Sequence, residues 1–262
     1  MVFTGGQYLT YNVEKSNFTG PMATAQMIIG FRTDKADGNV GLAQLEGKDS
    51  RHISLALIGG YATLLWNLNI KDELRSGLGS INERDTETLQ ISKRKLNNGK
   101  HHVIKVTVST RDIIMTVADL GLTVVGNVTE KEVFNQRGDI IGMKLQDFEE
   151  PKRLEVGQIR DVKISPPTNV QLPLTYTGCM SGAKFVYTPH ATKKDPFPQA
   201  REFDFFKMYF EDQNTNDRPQ NQQPQDNVWY GSQPPTSLSG DQKCGQDLPT
   251  PGKKCMQSPV GV

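Results

Sequence analysis

The feature that most constrains the fold is an alternation of apolar and polar residues with a period of two. Apolar side chains occupy every second position in Met27–Phe31, Ile53–Leu57 and Ile104–Val108. This period places them on one face of a β-strand. Gly59-Gly60 separates the second stretch from a further apolar run, Tyr61–Leu68, and a Gly-Gly pair between two such runs is typical of a tight hairpin.

The stretch after residue 100 repeats this arrangement. Ile104–Val108 is followed by a turn at Ser109–Asp112, and Ile113–Val117 then returns. The nearest approach to a helical pattern, Asp72–Arg84, contains Gly77 and Gly79, which disfavour a helix. Short strands at this spacing predict an all-β sandwich or barrel.

The composition changes sharply near residue 212. Arg201–Phe210 is rich in aromatic residues and is predicted to be the last strand, with its aromatic side chains in the core. From Asp212 to Gly240 the chain consists mostly of Asn, Gln, Pro, Asp, Ser and Gly, which bury too little surface to offset the entropy of ordering. We therefore predict one domain over residues 2–212 and a polar linker or tail over residues 213–262.

Charge and hydropathy exclude several classes of partner. Lys plus Arg number 30 and Asp plus Glu number 29, so a charged partner must meet a local patch. No aromatic platform accompanies the basic residues, which argues against nucleic acid, and no apolar run reaches the roughly 18 residues that would cross a bilayer. The N-terminus lacks a signal-peptide pattern, so we expect a piece of a longer chain whose other domains are its neighbours.

Several motifs, in order along about 180 residues, together resemble the laminin G-like family, which includes the neurexin-type modules. Phe3–Leu9 matches the family's opening strand, and Ile28–Leu42 matches its "FRT…DG-x-L" segment. Ser54–Gly60 matches the hairpin that follows. Asn98–Val103 matches the "DG-x-W/Y-H-x-V" segment, and Tyr176–Gly182 matches the late "F-x-G-C-[IM]" segment. Asn98 stands for the family's Asp, His101 for its Trp or Tyr, and Tyr176 for its Phe.

The resemblance implies a jelly-roll β-sandwich of two curved antiparallel sheets, like those of concanavalin and other lectins. It also implies a secreted or cell-surface adhesion module without catalytic activity, which binds a receptor or a sulfated glycan through rim loops. Two alternatives stay open: a structural spacer in a multidomain adhesion protein, and a glycan-active enzyme on a lectin-like sandwich. The enzyme would need a pair of acids on a concave face, and the alternation of Glu202 and Asp204 is the nearest such pattern.

The resemblance further implies a calcium site at a rim of the sandwich. Calcium prefers carboxylate and carbonyl oxygens. The family's first carboxylate corresponds to Asp72, and the carbonyl after its histidine corresponds to Val103. The remaining ligands come from the loop Leu145–Glu150, with Leu145 and Asp147 as candidates and Glu149 behind them. The alternative is that Asp72 and Asp147 are solvated loop acids.

A second candidate site is basic. Lys93, Arg94, Lys95 and Lys100 cluster before the strand that starts near residue 102. Clustered cations attract polyanions, and laminin-type modules often bind sulfated glycans through such loops. The alternative is an ordinary charged loop that discourages strand aggregation.

The three cysteines, Cys179, Cys244 and Cys255, allow at most one internal disulfide. The resemblance implies that Cys179 pairs with a cysteine near the domain's end, and we prefer Cys244; a local Cys244–Cys255 loop is the alternative. Two sequons, at Asn17 and Asn127, are candidate glycosylation sites.

The adjacent histidines His101 and His102 do not indicate a metal or catalytic centre. Neighbouring residues on a strand point to opposite faces, so the two rings cannot bind one ion together. The family resemblance implies that one of them is a packing residue.

Overall fold

A computed structural model of the chain shows two antiparallel sheets packed face to face. It describes residues 1–12, 22–47, 51–67, 86–109, 111–127, 130–134, 140–145, 151–160, 170–189, 191, 193, 195–206 and 228–230. These contain eighteen strands, which we number along the chain. The prediction of an all-β sandwich is confirmed.

The first sheet, sheet A, has seven strands. In spatial order they are β1 (Val2–Thr4), β16 (Thr177–Pro189), β3 (Met22–Arg32), β8 (His102–Ser109), β9 (Asp112–Val117) and β10 (Leu122–Asn127), and β17 (Arg201–Asp204) also pairs with β16. A 3-10 turn, Ala118–Leu120, joins β9 to β10. The predicted strand Ile104–Val108 therefore lies in β8, and the predicted return Ile113–Val117 lies in β9.

The second sheet, sheet B, also has seven strands. Their order is β18 (Val228–Tyr230), β2 (Leu9–Asn12), β13 (Pro151–Val156), β4 (Val40–Gly47), β5 (His52–Ile58), β6 (Tyr61–Asn67) and β7 (Glu87–Ile91). The predicted Gly-Gly hairpin is confirmed as β5 and β6, with Ile58 opposite Tyr61. Two small pairs complete the fold: β11 (Glu130–Phe134) with β12 (Ile140–Leu145), and β14 (Gln158–Ile159) with β15 (Leu174–Thr175).

The core lies between the sheets, where the apolar positions of the period-two stretches meet. Leu55 and Leu57 of sheet B join Ile104 and Val106 of sheet A in one cluster. Full burial of such side chains stabilises a fold by about 1.5–3 kcal/mol each. The alternation read from the sequence is thus the inward-facing pattern of both sheets.

Two short segments also cover part of the outer face of sheet B. We call residues 157–160 and 170–175 together the flap. Ile159 and Leu174 of the flap pack with Ala56 and Ile58 of β5 and with Leu65 of β6, in a second apolar cluster. Strand β5 is consequently buried on both faces.

The C-terminal part differs from expectation in two respects. Strand β17 ends at Asp204, before the predicted Phe210, although Phe203, Phe205 and Phe206 are buried in the core as predicted. Strand β18 lies inside the segment predicted to be a polar tail and pairs with β2. The domain boundary near residue 212 stays a prediction.

Candidate ligand-binding rim

Four segments meet at one end of the sandwich, which we call the rim. They are the loop 33–39, the turn Gly59-Gly60, the loop 92–101 and the flap residues 170–175. The loop 33–39 is the centre of this arrangement: the Gly60 N–H donates to the Gly38 carbonyl (2.7 Å), and the Gly99 N–H donates to the Thr33 carbonyl (3.0 Å). Backbone hydrogen bonds therefore hold the loops in fixed relation.

Glycine is required where the turn meets the loop 92–101. Gly60 has φ +85°, and a Cβ atom there would collide with the side chain of Asn97. Asn97 in turn donates from Nδ2 to the Lys35 carbonyl (3.0 Å). The Gly-Gly pair thus forms the hairpin turn and also leaves space for Asn97 of the loop 92–101.

The four predicted basic residues all lie on the loop 92–101. Lys93, Arg94, Lys95 and Lys100 are all exposed, and among the described residues none of the four forms an ion pair. The Lys95 ammonium lies 5.6 Å from the centre of the Tyr61 ring, a cation–π distance. The cluster is a local positive patch on a chain of nearly neutral net charge.

A carboxylate that the sequence analysis missed fixes the base of this loop. Asp119 Oδ2 lies 2.7 Å from His102 Nδ1, and Asp119 Oδ1 accepts from the Val103 N–H (3.1 Å). On its other side, His102 Nε2 lies 3.0 Å from Asn98 Oδ1. The signal that could have found Asp119 is its place in Asp119-Leu120-Gly121, directly after a strand that ends at the rim.

The two histidines point to opposite faces, as predicted. His102 is buried, with its ring 6.1 Å from that of Phe31, whereas His101 Nε2 lies 2.7 Å from Ser181 Oγ. Burial lowers the pKa of His101, an effect that Asp119 opposes and His102 reinforces. His101 is therefore neutral near pH 7 and adds no charge to the basic cluster.

An open cleft of about 580 Å³ lies on the other side of the loop 33–39. Its walls are the loop residues Lys35, Asp37 and Asn39 and the flap residues 171–175. The Lys35 ammonium is neutralised by Asp37 at 3.6 Å and donates to the Asn39 carbonyl at 3.2 Å. The sequence analysis did not foresee this cleft, because the flap wall is 130 residues away along the chain.

The predicted calcium ligands are only partly described. Asp72 and Asp147 lie outside the described residues, and Leu145 ends β12. Val103 pairs with Gly30, near the rim, whereas β6 and β13, whose ends are nearest to Asp72 and Asp147 in the chain, reach the opposite end of sheet B at Asn67 and Pro151. The ligand set stays a prediction. Within the described part of the chain, no group of three or more His, Cys, Asp or Glu side chains could hold a metal ion.

Of the remaining predicted residues, Cys179 pairs with Arg32 beside the start of the loop 33–39, and the others lie away from the rim loops or outside the described residues. Cys179 lies in β16 and is disulfide-bonded, but Cys244 and Cys255 fall outside the described ranges, so the pairing stays a prediction. Asn17 is also outside them, and Asn127 is the last residue of β10.

The acid pair considered for a glycan-active enzyme is tied to a lysine. Lys184 Nζ lies 2.8 Å from Glu202 and 3.6 Å from Asp204. Both acids and the lysine are neighbours across β16 and β17. The lysine therefore forms ion pairs with both carboxylates on this sheet.

Comparison with known families decides the class of the module. The Laminin G domain model matches residues 31–186, which is more than half of the chain. This chain belongs to the laminin G domain family. The match runs from Phe31 at the end of β3 to Val186 in β16, and so includes the loops that form the rim.

Two solved laminin structures are among those similar to this chain, at low sequence identity. The chain is 15% identical to domains LG4-5 of the mouse laminin alpha1 chain, with a TM-score of 0.46, covering 70% of this chain and 40% of that one. For the LG1-3 region of the laminin alpha2 chain the values are 15%, 0.45, 75% and 32%. A heptameric SAP-like pentraxin from Limulus polyphemus is 9% identical with a TM-score of 0.38, covering 70% of this chain and 73% of that chain. Among curated proteins, no sequence matches this chain.

Laminin G domains are generally extracellular adhesion or ligand-binding modules, and the fold is typically non-enzymatic. Within the described residues, no helix has the length and apolar character needed to span a bilayer.

Proposed function

We propose that this laminin G domain is a non-enzymatic extracellular adhesion module that binds a sulfated glycan through the loop 92–101. The observation that carries the proposal is the group of four exposed cations, Lys93, Arg94, Lys95 and Lys100, without ion-pair partners among the described residues. Unpaired cations on one loop create a local field that attracts a polyanion and releases its counterions.

The support beneath the cluster favours binding over a merely solvated loop. Asn98 Oδ1 accepts from the Lys100 N–H at 3.0 Å, and Nε2 of the buried His102 lies 3.0 Å from the same oxygen. A loop whose backbone is already fixed loses less entropy when it binds. A glycan on a cell-surface receptor is therefore the partner that fits this rim.

Calcium assistance is a separate part of the proposal. The ends of β6 and β13 lie at the same end of sheet B, three strand spacings or about 14 Å apart. Asp72 is five residues beyond Asn67 and Asp147 is four residues before Pro151, and an extended chain spans about 3.4 Å per residue. The two carboxylates are therefore within reach of each other.

Heparin affinity tests the glycan-binding function. The variant Lys93→Ala/Arg94→Ala/Lys95→Ala should elute from a heparin column at lower salt than the wild type. The slope of the logarithm of the binding constant against the logarithm of the salt concentration should decrease in size by about 2, by analogy with phosphate contacts.

The matched control removes three exposed cations elsewhere. Lys105→Ala/Arg111→Ala/Lys193→Ala changes the net charge by the same amount but leaves the loop 92–101 intact. Equal losses of affinity in the two variants would show attraction to net charge rather than a site. A wild type that passes through the column unretained would favour the structural spacer.

A further inference from the structure

We infer that the cleft between the loop 33–39 and the flap is a second subsite, which takes an uncharged, hydroxyl-rich sugar unit of the glycan. The inference rests on the glycan-binding function proposed above and extends it, because the cleft and the basic cluster lie on the two sides of the same loop. Lys35 shows this arrangement: its side chain lines the cleft, and its carbonyl accepts from Asn97 in the loop 92–101.

The size of the cleft suits a small ligand. Its volume of about 580 Å³ falls within the roughly 300–1,000 Å³ that ligand sites occupy. Most of the surface that lines the cleft is polar, because Leu172 and Leu174 pack with the apolar cluster beneath the flap. Pro173 is the exposed apolar residue of this wall. A small apolar surface among polar groups fits one face of a sugar ring.

The polar groups of the cleft are of the kind that recognises hydroxyls. Gln171 and Thr175 line the cleft, and within the described part of the protein no hydrogen bond engages the side chain of either residue. Among the described residues that line the cleft, the one cation, Lys35, is balanced by Asp37. A cleft without net charge disfavours a sulfate group and favours neutral hydroxyl or acetamido groups.

The walls are held in place before any ligand arrives. Gly41 of β4 lies directly under the flap, where a Cβ atom would collide with the Leu174 carbonyl and the Ile159 nitrogen. The Tyr176 N–H donates to the Gly157 carbonyl at 2.8 Å. On the facing wall, Asn39 Oδ1 accepts from the Gly59 N–H at 2.8 Å. Polar groups on fixed walls are what a specific site requires.

Two oligosaccharides of equal length distinguish the subsites. One is a heparan sulfate oligosaccharide with unsulfated, N-acetylated units next to sulfated ones, and the other is a fully sulfated heparin oligosaccharide. The variant Gln171→Ala/Thr175→Val should bind the first about 5- to 10-fold more weakly, since it loses two neutral hydrogen bonds, and should bind the second as the wild type does. The control Gln199→Ala/Thr123→Val, which changes the same residue types outside the rim, should bind both as the wild type does.

Nuclear magnetic resonance of the wild type separates failure of this inference from failure of the proposed function. Titration with the heparan sulfate oligosaccharide should shift the signals of the loop 92–101 and also those of Gln171 and Thr175. Shifts confined to the loop 92–101 would overturn the cleft subsite and leave the glycan-binding function standing. Shifts confined to the cleft would support the subsite and overturn the basic cluster, and an unchanged spectrum would overturn both.

Discussion

At the scale of single residues, Tyr176 shows how one side chain joins three backbone groups. Its hydroxyl lies 2.8 Å from the Arg32 carbonyl and 2.9 Å from the Cys179 carbonyl, which share its one proton as acceptors, and it accepts from the Arg32 N–H at 3.2 Å. The ring is fully buried, edge-on to Phe3 at 5.5 Å. Burial raises the pKa of Tyr176, so the hydroxyl remains a donor.

The substitution Tyr176→Phe should lower the free energy of unfolding by about 1–3 kcal/mol, because it leaves buried backbone groups without a partner. Chemical denaturation measures the loss. Tyr61→Phe is the matched control, since its hydroxyl makes no hydrogen bond to another described residue, and it should change stability by less than about 0.5 kcal/mol. Equal effects of the two substitutions would contradict the role given to Tyr176.

Residue-level prediction was best where chemistry is local. The exposed basic cluster follows from four cations close together in sequence. Asp119 was missed because its partners His102 and Val103 are 17 and 16 residues away, and only the antiparallel return of β9 brings them together. A carboxylate at the end of a strand has no local pattern that identifies its partner.

At the scale of elements, an ion pair between a buried carboxylate and a partly exposed arginine anchors the flap to sheet B. Glu155 of β13 is 3% exposed, and it pairs with Arg160 of the flap through Nε at 2.8 Å and through the second guanidinium nitrogen. The Arg160 N–H also donates to Gln44 of β4 at 2.9 Å. Thr10 of β2 donates to the same carboxylate. These hydrogen bonds connect β13, β2, β4 and the flap around Glu155.

Removing both partners of this pair, in Glu155→Gln/Arg160→Met, should cost less than the sum of the two single removals. Arg160→Met should cost about 1–2 kcal/mol, because it leaves the Glu155 carboxylate buried with less compensation, while Arg153 still lies 3.3 Å from it and Arg160 itself is 36% exposed. Denaturation of the wild type, the two single variants and the double variant gives the coupling energy. If the losses of stability of the two single variants add up to that of the double variant, the two side chains do not stabilise the flap as a pair.

Hydrogen exchange locates the effect of the same variants. Loss of the pair should raise the exchange rates of residues 170–175 more than those of β8 and β9, which are in the other sheet. Uniformly faster exchange throughout the domain would indicate global destabilisation without a specific effect on the flap.

Strands were predicted correctly where the sequence of each one alternates between inward-facing and outward-facing residues. The hairpin of β5 and β6 and the return from β8 to β9 were evident because five or more alternating residues and a turn identify each pair. The flap was not predicted, because β14 and β15 have two residues each. Ser54 and Ala56, which the alternation assigned to the outer face of β5, are both buried, and Ala56 packs with flap residues more than 100 positions away in sequence.

At the scale of the whole molecule, the rim and the opposite end of the sandwich have different proposed ligands. The proposed glycan subsites lie at the rim, whereas the strand ends nearest to Asp72 and Asp147 lie about 26 Å away, the length of the eight-residue strand β4. A metal bound near those strand ends would stabilise the domain without neutralising the basic cluster. Calcium binding and glycan binding should therefore be separable in this protein.

Calcium should raise the thermal midpoint of the wild type, because a ligand that binds only the folded state adds RT ln(1 + [L]/Kd) to its stability. With a Kd of about 10⁻³ M, typical of extracellular modules, 10 mM calcium adds about 1.4 kcal/mol. Asp72→Ala and Asp147→Ala should each abolish the shift and the heat of binding in calorimetry. Asp37→Ala, an exposed loop acid at the rim, should retain both, and a wild type that gives no heat in millimolar calcium would remove the site from the proposal.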